Sequence, residues 1–138
     1  MIGRRALLLL ALPALALARD FPAEGEDCIA ANSGADSVQC LTQLYYQSNL
    51  ELHHLEERLV ERSAQRLRDD QITRTHHEQA VSSLRDAARR YAKFSERQCD
   101  FAVGYAGAAA SGAQQVFYSC LLRLNQQRRD YLLAALKS

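Results

Sequence analysis

Residues 36–68 read DSVQCLTQLYYQSNLELHHLEERLVERSAQRLR. Apolar side chains recur at helical spacing at Val38, Leu41, Tyr45, Leu52, Leu55, Leu59 and Leu67. The opposite face carries Glu51, Glu57 and Glu61 with their basic neighbours. Asp36 or Ser37 is suited to cap the start. Neither glycine nor proline interrupts the run, so it predicts one long amphipathic helix and an all-α fold.

Toward the C-terminus, Asp69-Asp70-Gln71 and Thr73 to Thr75 mark a polar turn or a weak joint between two helical stretches. A second helix is expected from about Thr75 to Phe101, with Val81, Leu84, Ala88, Tyr91, Phe94 and Cys99 as its apolar stripe. Residues 103–113, VGYAGAAASGA, contain Gly104, Gly107 and Gly112 and read as a mobile loop. A third helix, from about Ala113 to Leu136, would bury Phe117, Cys120, Leu121, Leu124, Tyr131, Leu132 and Ala135. Arg128 falls beside that stripe, and a buried arginine requires a carboxylate; Asp36 and Glu96 are the candidates. The expected architecture is a three-helix antiparallel bundle, or a long helical hairpin with a third helix packed at one end. The third helix is shorter than the first, so part of the hairpin would project.

Toward the N-terminus, residues 19–35 lack periodicity and contain Pro22, Gly25 and Gly34; they read as an extended arm. Residues 1–18 have the parts of a secretory signal peptide: Arg4 and Arg5, the apolar run Ala6–Leu12, and the small-x-small site Ala16-Leu17-Ala18. The apolar run is far shorter than the roughly 20 residues that cross a bilayer. The mature chain is therefore expected to start at Arg19 as a single helical domain, residues 19–138. It would be periplasmic or secreted, with no membrane insertion after cleavage.

An exported chain with Cys28, Cys40, Cys99 and Cys120 implies disulfides, for which three pairings exist. In an up-down arrangement the arm, the start of the first helix, the end of the second and the start of the third meet at one end. Local pairing, Cys28–Cys40 with Cys99–Cys120, is favoured there.

Charge is divided unevenly. Residues 19–61 hold nine acids and two bases, a balance of −7; residues 62–138 hold 13 bases and seven acids, a balance of +6. The halves either face each other or leave an acidic face for a cationic partner. The basic run Arg85, Arg89, Arg90, Lys93 and Arg97 reads as a solvated helix face, and export argues against nucleic acid. His53-His54 and His76-His77 invite a metal reading. Adjacent helical histidines point to different sides, and the hairpin separates the pairs by about 18 Å, so no metal or cofactor is expected. GxSxG, HExxH and phosphate-loop patterns are absent, and no enzyme is expected.

The cysteine frame resembles that of the LprI-type lysozyme inhibitors. Cys28-x11-Cys40 matches the first pair, with Asp36 four residues before Cys40 where the family carries Glu. Before Cys99, Tyr91 stands at the family's Trp place, Phe94 at its Tyr place and Glu96 at its Asp place. Cys120 is followed by Asn125 at the Thr place, then Arg128 and Leu132. Ala88 and Ser95 depart from the usual Gln and Arg.

The resemblance implies an exported non-catalytic binder that blocks a cationic wall-degrading enzyme such as c-type lysozyme. The candidate contact is the disulfide-stapled end: Asp20, Glu24, Glu26 and Asp27 of the arm, and the loop through Tyr105, Gly107 and Gly112. The alternative is a structural or adaptor protein of the envelope acting through its long amphipathic helices. An exposed patch at Leu52, Leu55 and Leu59 would support that, and a homodimer fits either reading.

Overall fold

A computed structural model describes residues 19–138; the expected signal peptide, residues 1–18, lies outside the described residues. The described chain folds into four helices, α1 (Phe21–Ala31), α2 (Gly34–Arg68), α3 (Arg74–Ala106) and α4 (Ala110–Lys137). The expected three-helix architecture is thus corrected by one element: the arm is itself a helix. The residues read as breakers explain why. Pro22 sits in the first turn, where its missing N–H would have had no intrahelical partner. Asp20 caps that turn, its carboxylate accepting from the Ala23 N–H at 3.0 Å. Gly25 is a packing residue: a Cβ there would stand 2.8 Å from Leu122 Cδ1 and 3.3 Å from Leu41 Cδ2. Its missing side chain lets α1 lie close on α2 and α4.

The glycine-rich loop is also shorter than expected. α3 continues through Gly104 to Ala106, and α4 starts at Ala110, so Gly112 is helical and only residues 107–109 link the two. Gly107, at φ 63°, ends α3 in the left-handed conformation. Its N–H donates to the Gly104 carbonyl and that of Ala108 to the Val103 carbonyl, so one glycine closes the helix. Asp70, at φ 56°, ends α2 in the same manner.

α2 and α3 form an antiparallel hairpin, and α4 runs back beside α3. α1 packs on α2 and α4 and makes no contact with α3. Three apolar clusters follow from this order. Phe21, Cys28, Leu41 and Leu122 seat α1. Cys99, Cys120 and Leu121 join α3 to α4. Leu52 and Leu55 close on Leu132 of α4, with Leu59 and Leu84 packed alongside. The leucine patch that an adaptor would need exposed is therefore covered. Cys28 is bridged to Cys40, and Cys99 to Cys120. Among the described residues, no helix is long and apolar enough to cross a membrane.

Candidate functional site

The interior is polar at its centre. Ser48 of α2 falls within the apolar stripe, one turn after Tyr45 and one before Leu52, and Asn125 falls likewise between Leu121 and Leu132 of α4. The two meet. Asn125, 2 % exposed, donates from Nδ2 to Ser48 Oγ at 2.7 Å and to Asn49 Oδ1 at 2.9 Å. Its Oδ1 accepts from the Tyr91 hydroxyl at 2.8 Å. Every strong donor and acceptor of the amide except the second carbonyl lone pair is used, and three helices are registered by one side chain.

Next to it, Arg128 pairs with Glu56 at 3.0 Å, with 12 % and 17 % of the two side chains exposed. Its guanidinium lies over the Tyr91 ring at 4.8 Å. This corrects the expected partners Asp36 and Glu96. Both of those are exposed, and Arg128 lies in the C-terminal half of α4, level with Glu56. A second pair went unread in the sequence. Arg129 Nε stands 2.7 Å from Glu51 Oε1, off the line of an aligned hydrogen bond, while its Nη1 donates to the Arg19 carbonyl at 2.7 Å. Glu51 thus leaves the solvated face assigned to it and joins α2 to α4. The opposite charges of the two chain halves meet in these two pairs.

Burial pushes the Tyr91 phenol well above its ordinary range, against the pull of the Arg128 cation. The folded chain therefore keeps a proton that the unfolded chain releases from about pH 10 upward. Stability carried by Tyr91 is present below that pH and is lost as pH rises further. Spectrophotometric titration should show a late-ionising tyrosine in the native protein that is missing from Tyr91→Phe; identical curves would contradict this placement.

The surface candidates are distributed as follows. Asp20 is engaged as the α1 cap, and Glu24 pairs with Arg19 at 2.8 Å. Glu26 and Asp27 are exposed on α1 and enter none of the ion pairs among the described residues. A shallow groove of about 330 Å³ beside the Cys28–Cys40 bridge is lined by Glu24, Asp27, Ala31 and Leu44. On α3, Tyr105 is 85 % exposed and stacks on Phe101 with centroids 5.6 Å apart. Phe94, expected in the buried stripe, is also exposed. The buried side of α3 instead runs through Tyr91, Ser95 and Cys99. The acids lie on α1 and the Tyr105–Gly107 turn ends α3, and these two helices do not touch. Gly112 lies half-buried inside α4.

His77 Nδ1 is 2.8 Å from Ser63 Oγ across the hairpin, and His76 Nδ1 is 3.1 Å from Thr73 Oγ1. Among the described residues, no group of three or more His, Cys, Asp or Glu side chains is placed to hold a metal ion.

Two staples and the part-buried polar network around Asn125 hold the four helices as one small disulfide-bonded helical unit. Residues 28–132 match the family model described as Lysozyme inhibitor LprI, and the chain belongs to that family. It is an exported, non-catalytic binding protein, periplasmic or secreted, of the lysozyme-inhibitor type, with a protein as its partner. No curated protein and no solved structure matches the chain. Of the residues that carry the resemblance, Tyr91, Asn125, Arg128 and the four cysteines lie in the interior network and the two staples, whereas Asp36, Phe94 and Glu96 are exposed. The buried members of that set hold the scaffold and are closed to a partner.

Proposed function

We propose that the mature chain, starting at Arg19 after removal of residues 1–18, binds and blocks c-type lysozyme through the acidic flank made by α1 and the start of α2. One observation carries this reading. The Cys28–Cys40 bridge pins α1 so that Glu26 and Asp27 point to solvent, while Glu51 and Glu56 are consumed by buried arginines. Residues 19–36 hold five acids against Arg19, a balance of −4. Such a patch steers a basic enzyme and raises the association rate more than it slows release.

The test is association kinetics with c-type lysozyme at low and high salt. Glu26→Gln/Asp27→Asn/Asp36→Asn should slow association on the order of tenfold at low salt, and the difference should shrink as salt screens the field. An unchanged association rate at low salt removes the acidic flank from the interface and moves the contact to Tyr105 and its turn. Self-association is a second reading, favoured by the exposure of Phe94, Phe101 and Tyr105 at i, i+7 and i+11 on one side of α3. A monomeric mass by light scattering, at the concentrations that block lysis, sinks it.

A further inference from the structure

α4 packs on the hairpin with Leu132, Leu133 and Leu136. Between these last turns of α4 and the hairpin lies a groove of about 370 Å³. Its walls are apolar: Leu59 and Val60 from α2, Val81 and Leu84 from α3, Leu132 and Ala135 from α4. Leu132 is 1 % exposed and forms the floor. Three cation-capable groups, Arg62, Arg66 and His76, line the same groove and are solvent-exposed, which places them at its mouth. Neither arginine belongs to an ion pair among the described residues, although Glu61 and Arg68 nearby are paired with each other at 2.8 Å. Nothing in the lysozyme-inhibitor reading uses this end of the molecule.

We propose that this groove binds a single-chain anionic amphiphile, with its acyl tail on Leu132 and its anionic head between Arg62 and Arg66. The volume stands at the small end of ligand pockets, about 300–1,000 Å³, which suits one chain rather than a two-chain lipid. Charge complementarity selects the head. Arg62 and Arg66 are one helical turn apart on α2, so both guanidinium forks reach one headgroup, and such forks take carboxylate or phosphate oxygens in pairs. A free fatty acid and a lysophospholipid share this chemistry.

Calorimetric titration of the mature oxidised chain with laurate, below its micelle concentration, tests the proposal. Laurate should bind saturably, one per chain, and dodecanol, the same tail without the charge, at least tenfold more weakly. Arg62→Gln/Arg66→Gln, both on the surface, should bring laurate down to the dodecanol level with helicity unchanged. Ala135→Trp should fill the groove and abolish binding of both. A parallel titration with lauroyl lysophosphatidylglycerol separates the two sources: tighter binding of either ligand supports the site and names its natural class. Absence of saturable laurate binding to a folded chain overturns the proposal. So does equal binding of laurate and dodecanol with the arginine variant unaffected. A dimer of twice the chain mass that excludes laurate also overturns it, by assigning the groove to a second copy.

Discussion

Glu56→Ala should destabilise the α2–α4 contact by about 3 kcal/mol. The reason is what it leaves behind. Arg128 is only 12 % exposed and has no other carboxylate partner among the described residues. Without Glu56 it must keep an uncompensated charge near the Tyr91 ring or pull out and open the contact. The pair itself contributes much less than this, because desolvating both charges offsets most of their attraction. Glu56→Leu/Arg128→Met should therefore stay within about 1 kcal/mol of the parent. Glu57→Ala, the next residue but exposed, should change stability by no more than about 0.5 kcal/mol. Urea unfolding with an unchanged m-value reads all three. If Glu56→Ala and Glu57→Ala behave alike, the Arg128 pair behaves as a surface pair and does not hold α4 to α2.

The two disulfides should fail differently. Closing loops of 21 and 12 residues, the Cys99–Cys120 and Cys28–Cys40 bridges are each expected to contribute about 3 kcal/mol by chain entropy. Their positions separate the consequences. Cys99 and Cys120 sit in the core cluster with Leu121, so Cys99→Ala/Cys120→Ala lowers the stability of the whole bundle. Cys28–Cys40 holds α1, a helix of 11 residues, too short to persist in water without packing. Cys28→Ala/Cys40→Ala should therefore release α1 while α2, α3 and α4 remain folded. Native-state proteolysis would then cut first within residues 19–33, leaving a resistant remainder, whereas the other double variant would lose protection throughout. Uniform digestion of both would contradict the description of α1 as a separately stapled element.

What the sequence disclosed, and what it hid, has a physical pattern. The long helices were legible because their apolar residues keep a 3.6-residue period over many turns. α1 was hidden because Pro22 and Gly25 read as breakers, and both are explained only by context, a first turn and the closeness of Leu122. The 103–113 stretch read as a loop because glycine lowers helix propensity, yet only Gly107 needs its left-handed freedom. Arg128 was recognised as requiring a carboxylate, but its partner depends on the axial level of α4 against α2, which periodicity does not supply. Glu51 and Arg129 were missed for the same reason. Ser48 and Asn125 did leave a signal, each a polar residue at a core position of its stripe. The candidate contact residues were the least legible. Charge marked the acids, but only the packing shows that α1, which carries them, makes no contact with α3, which carries Tyr105.

In the proposed function the exported chain blocks a lysozyme by binding it. The most direct test follows cell-wall lysis by c-type lysozyme as the oxidised chain from Arg19 is added. Lysis should fall in proportion to added protein and stop near one chain per enzyme. Lysis that persists at many-fold excess of a chain shown to be helical and fully disulfide-bonded would rule that function out.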